Sequence, residues 1–107
     1  MLNKIDRVRK MEALFDEATT VIDSIATQVE ENKITKKLLK EFNNIQPKIE
    51  VLQNYYEGED WLEDYDCDLE NLFPPCLKRG VLSEDAIYDL LTDNDILKEQ
   101  LEVNIDY

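Results

Sequence analysis

The stretch VRKMEALFDEATTVIDSIATQV, Val8 to Val29, decides the fold. Its apolar residues fall at Val8, Met11, Phe15, Ala18, Ile22, Ile25 and Val29, at alternating steps of three and four, which is the spacing of one face of an α-helix. A β-strand, whose side chains alternate between faces, has no use for that spacing. With Ile5 in front, the pattern predicts a helix about 30 residues and about 45 Å long, and its stripe needs a partner of similar length. The partner follows at once. After Glu30-Glu31-Asn32-Lys33, apolar residues resume at Leu38, Phe42, Ile45, Ile49, Leu52 and Tyr56, behind Thr35 as N-cap. So short a connection makes the pair antiparallel. Pro47 lies inside the second seam without shifting its phase, which predicts a kink and not a stop. Gly58 is expected to end the helix in the left-handed conformation.

Beyond Gly58 the elements shorten. Glu59 to Tyr65 predicts one or two turns of helix with Trp61, Leu62 and Tyr65 on one face. Phe73-Pro74-Pro75 enforces extended backbone, and Lys78-Arg79-Gly80 reads as a turn. Ser83 is placed to cap a short helix with Glu84 and Asp85 in its first turn and Ala86, Ile87, Leu90 and Leu91 inward. A last helix from Asp93 or Asp95 would carry Ile96, Leu97, Leu101 and Ile105. The expectation is one all-α domain over 1–107, with a long antiparallel helical hairpin over 1–57. An acidic region of short C-terminal helices, 58–107, would fold across one end. Two Gly and three Pro in 107 residues fit that class better than a sandwich or a disordered chain.

The net charge of −13 is unevenly placed. Residues 1–54 hold nine basic and nine acidic side chains, whereas residues 55–107 hold three basic and sixteen acidic. Phosphates and anionic lipid surfaces would be repelled by that half, so neither direct nucleic-acid binding nor membrane binding is expected. No segment approaches the ~20 apolar residues of a membrane span. The Met1-Leu2-Asn3-Lys4 start has no apolar region of a signal peptide, making the cytoplasm the default. In that reducing setting Cys67 and Cys76 are expected as thiols.

The block Leu77-Lys78-Arg79-Gly80-Val81-Leu82-Ser83-Glu84-Asp85-Ala86-Ile87-Tyr88 stands behind Tyr55-Tyr56 and a Trp61-Leu62-Glu63-Asp64-Tyr65 element. Together with Lys4-Ile5 and Lys10-Met11-Glu12, these residues resemble the signature of a small bacterial family classed only as a domain of unknown function. The resemblance covers nearly the whole chain and implies a fold class and a bacterial or phage origin. It implies no chemistry. Where the family has an acidic pair and a Gly, this chain has Asp68-Leu69-Glu70-Asn71, and Asn71 serves because Asn tolerates a positive φ.

The densest charge is DWLEDYDCDLE, Asp60 to Glu70, with six carboxylates and no cation. Asp64-Tyr65-Asp66-Cys67-Asp68 imitates the opening of a calcium loop, but Leu69 stands where a Gly is needed and Pro75 where a bidentate Glu is needed. Lys78 and Arg79 are the candidate counter-charges, with Arg79 expected to fold back on Asp64, Asp66 or Asp68. Tyr55, Tyr56, Trp61, Tyr65 and Tyr88 are divided between helix-capping core and interface anchors. There is no His, no phosphate-binding Gly loop and no nucleophile elbow, so no enzyme and no cofactor are expected. The function that remains is a protein-interaction module, its surface drawn from Tyr55, Tyr56, Trp61, Asp64, Tyr65, Asp66, Asp68, Lys78 and Arg79, toward a partner with a basic surface. The alternatives are a phage or mobile-element inhibitor imitating DNA phosphates, and a weak divalent-metal binder. A homodimer would cover apolar seam left over by two helices.

Overall fold

The computed structural model describes the backbone of residues 2–105 and the side chains of residues 2–102. Helix α1 runs Leu2–Glu30, α2 Lys36–Glu57, α3 Glu59–Leu69 and α4 Ala86–Ile105, with one turn of 3₁₀ helix at Gly80–Leu82 between α3 and α4. Among the described residues there is no strand. The long seam behaves as its spacing requires: Val8, Ala18, Ile22 and Ile25 of α1 face Leu38, Phe42, Ile45, Ile49 and Leu52 of α2, all buried. Thr35 caps α2, its hydroxyl accepting from the Leu38 amide at 3.1 Å. The helix continues through Pro47 to Glu57. At its end the buried residue is Tyr55, with Tyr56 only half-buried, because a straight helix drifts about 20° per heptad from a strict seven-residue repeat.

The third layer differs from the expectation. The chain beyond Ser83 makes one continuous helix of 20 residues and not two short ones. Ser83 is not its cap; Ser83 to Ala86 form a turn, so Glu84 and Asp85 precede the helix. Ile87, Leu90, Asn94, Leu97 and Leu101 of α4 are buried, while Ile96 is 50% exposed; the Ile105 side chain lies outside the described residues. Packed on both α1 and α2, α4 makes a three-helix bundle with the hairpin. Gln46 and Asn94 exchange two amide hydrogen bonds, at 2.9 and 3.0 Å, fixing α4 against α2. Helix α3 and the 3₁₀ turn close the end where α1 begins and α2 finishes, within a molecule 51 × 23 × 19 Å.

The chain makes its left-handed turns with Asn. Gly58 is extended, with φ −96° and ψ −176°, and serves instead because a Cβ there would come within 3.1 Å of the Asn54 carbonyl. Among the described residues the positive φ values are at Asn32 (58°) and Asn71 (56°). Each closes a helix in the same pattern, the amide after it bonding the carbonyl five residues back: Lys33 to Gln28 at 2.8 Å and Leu72 to Cys67 at 3.0 Å. Asn32→Ala and Asn71→Ala should each cost about 1 kcal/mol, because Cβ without a local hydrogen-bonding group disfavours this conformation, whereas Gly at either position should be neutral or stabilising. Urea unfolding of the four variants checks the contrast in sign.

Candidate functional site

Helix α3 is EDWLEDYDCDL, without a single cation, so its carboxylates need charges from elsewhere. At about 100° per residue, Trp61, Asp64 and Cys67 fall on the inward face, and all three are buried. Leu62, placed by its spacing with Trp61, is instead 55% exposed. The calcium-loop opening is therefore helix, with Asp64 turned in and Asp66 turned out, and the two do not share a cation. No group of three or more His, Cys, Asp or Glu that could hold a metal ion is present among the described residues. Nor is any described helix long and apolar enough to cross a membrane.

Asp64 is fully buried, and three donors meet it. Arg7, from the first turns of α1, presents its fork at 2.9 Å from Nε and 2.6 Å from Nη2. The Tyr55 hydroxyl of α2 donates at 2.6 Å. The same guanidinium reaches the Asp60 carboxylate at 3.1 Å and Glu63 at 3.4 Å. Burial, reinforced by the bond to Asp64, pushes the Tyr55 phenol well above its ordinary range. The hydrogen bond to Asp64 holds the Arg7 charge more firmly still. Beside this cluster, Lys4 lies 3.7 Å from the Cys67 sulfur. Both cysteines are thiols, Cys67 buried and Cys76 exposed.

The 3₁₀ turn is pinned from two sides. Val81 donates its amide to Glu12 of α1 at 2.8 Å and accepts from the Trp61 indole at 3.1 Å. Gly80 permits this, since a Cβ there would stand 3.3 Å from the Glu12 carboxylate. Trp61 stacks on Tyr65 at 4.9 Å and meets Tyr56 edge-on at 5.1 Å, and the Tyr65 hydroxyl donates to Glu84. Arg79 does fold back, its Nε 3.1 Å from Asp68. It reaches neither Asp64 nor Asp66.

Of the nine residues singled out from the sequence, Tyr55, Trp61 and Asp64 are interior. Tyr56, Tyr65, Asp68 and Arg79 are half-buried, and Asp66 and Lys78 are exposed. Two residues that organise this end, Arg7 and Glu12, were not among them. Glu12 gave a signal: it stands four residues after Val8, on the buried face of α1. Arg7 gave none, because a charged residue beside a helix seam is ordinary. A family model with the description Domain of unknown function (DUF4298) matches residues 8–103, and so spans Trp61–Tyr65 and Leu77–Tyr88. No curated protein and no solved structure matches the chain.

Asp64→Ala should cost about 3–5 kcal/mol, the usual result of stripping one member from a buried charged pair. Arg7→Lys should lose part of that, because an ammonium lacks the fork; denaturant titration of both variants decides. Tyr55 supplies a pH dependence. Its phenol holds its proton more tightly folded than unfolded, so the stabilisation is complete below the unfolded value of about 10 and declines as pH rises past it. Unfolding free energy measured from pH 8 to 11.5 should fall at the alkaline end, and Tyr55→Phe should flatten that fall.

Proposed function

The chain belongs to the DUF4298 family, and we propose that it is a non-enzymatic protein-interaction module whose acidic α3 end binds a partner with a basic surface. One observation carries this reading: the fold pairs some of the acids along α3 and leaves others without a partner charge. Asp60, Glu63 and Asp64 are met by Arg7, and Asp68 by Arg79. Glu59, Asp66 and Glu70 point outward with no ion pair among the described residues. Glu84, Asp85 and Asp89 add exposed acids where α4 begins. Tyr65, half-buried and bonded to Glu84, offers an aromatic ring at the edge of that field, the residue type favoured in interfaces.

Imitation of DNA phosphates is the less favoured reading. Glu59, Glu63, Asp66 and Glu70 do form one stripe, but α3 extends only about 16 Å, and duplex DNA carries a phosphate about every 3.4 Å along each strand. A single row of four charges answers one strand at most, fewer than half of the roughly ten phosphates that the two strands carry over that length, and exposed Leu62 and Leu69 lie beside them.

Complementary charge acts chiefly on association rate, and salt screens it. The immobilised chain, used to capture proteins from a bacterial lysate at low and high salt, should retain a basic protein at low salt. Its association rate should fall steeply with ionic strength. The triple variant Glu59→Gln, Asp66→Asn, Glu70→Gln should lose that capture while keeping its unfolding midpoint. Capture that is unchanged in the variant, or that salt does not weaken, would count against the reading.

A further inference from the structure

Helix α3 presents more than charge. Leu62 and Leu69 are seven residues apart, hence on the same side of the helix, and are 55% and 63% exposed. Leu72, delivered just past the left-handed turn at Asn71, is 49% exposed. Single exposed leucines are ordinary. Three within eleven residues, in a molecule that buries Leu38 and Leu52 of α2 and Leu90, Leu97 and Leu101 of α4, concentrate apolar surface at α3 and its C-terminal turn. Asp66 lies between Leu62 and Leu69 on the same side, and Glu59 and Glu70 flank it at the two ends, none with an ion pair among the described residues.

Resting on the reading above, we infer that this outer face of α3 is a docking site for one kind of partner segment: a cationic amphipathic helix laid along α3. The leucines repeat over about 10 Å, the rise of seven helical residues. A facing helix with apolar residues at i, i+3 or i+4, and i+7 covers them. Lys or Arg beside those positions then meets Glu59, Asp66 and Glu70. The charge complementarity selects this occupant over a second copy, because two α3 faces brought together oppose like charges. It also disfavours an anionic lipid surface.

The test uses the full chain and two fluorescein-labelled peptides of about 18 residues, of identical Lys and Leu content. One aligns its leucines on a helical face, and the other scatters them. Anisotropy titration should show the aligned peptide binding at least roughly tenfold more tightly than the scattered one. The double variant Leu62→Ser, Leu69→Ser should remove that preference while its unfolding midpoint stays put, since neither side chain is in the core. Equal affinity for the two peptides would overturn the docking face yet leave the acidic-surface reading standing. Binding of neither would overturn both. A preference that survives in the serine variant places the contact elsewhere and overturns the inference. So would a concentration-dependent dimer, seen by light scattering, that the variant abolishes, since the occupant would then be another copy of the chain.

Discussion

Asp64 is the charge around which the rest of the molecule is arranged. A carboxylate removed from water is tolerated only when its lone pairs are filled and its charge is met, and here that takes a side chain from each of two other helices. Arg7 comes from the start of α1, Tyr55 from the end of α2, and both converge on the middle of α3. Apolar residues of the same volume often stabilise a fold as well as or better than such a cluster; what the cluster does here is tie three helices at one height. With Asp64 fixed, Trp61 is one turn away at the height of Val81. Glu12 on α1 reaches the same residue from the other side. Two ionised or hydrogen-bonded contacts thus seat the 3₁₀ turn, and the turn sets where α4 departs to run back along the hairpin.

Period is legible in a sequence in a way that pairing is not. The α1 and α2 seams could be read because their spacing leaves no other face to bury, and Thr35 because a cap acts within one turn of itself. Asn71 was legible through the family resemblance, since the family has a Gly in that stretch and Asn tolerates a positive φ. The misreadings share a cause. Gly58 was assigned the left-handed role by type, but its site demands close approach to a carbonyl, a fact of three dimensions. The continuity of α4 was hidden by acids at Asp93 and Asp95, which resemble helix starts and are only its solvent side. Leu62 was put on one face with Trp61 and Tyr65, although a step of one residue turns the helix by about 100°. Above all, the counter-charge for α3 was sought nearby, at Lys78 and Arg79. The larger part of it comes from Arg7, 57 residues before Asp64, where no local pattern marks it.

The same geometry bears on what the outer face is for. On α3, Glu59, Glu63, Asp66 and Glu70 follow one another at steps of four, three and four, and like charges at those spacings each oppose helix formation by a few tenths of a kcal/mol. The helix dipole favours Glu59 at the first turn and disfavours Asp68 and Glu70 at the last. Arg7 meets Asp60, Glu63 and Asp64, and Arg79 meets Asp68. Glu59, Asp66 and Glu70 have no ion pair among the described residues, and a Lys at position 66 or 70 would ease the helix without touching the core. Solubility does not require them there, because the net charge of −13 is ample without three carboxylates. Nor does solubility explain leucines left in water beside them. A face that costs the helix stability and combines unmatched charge with exposed apolar surface is accounted for by neither folding nor dispersal. A partner that supplies both the cations and the apolar cover accounts for the two features together.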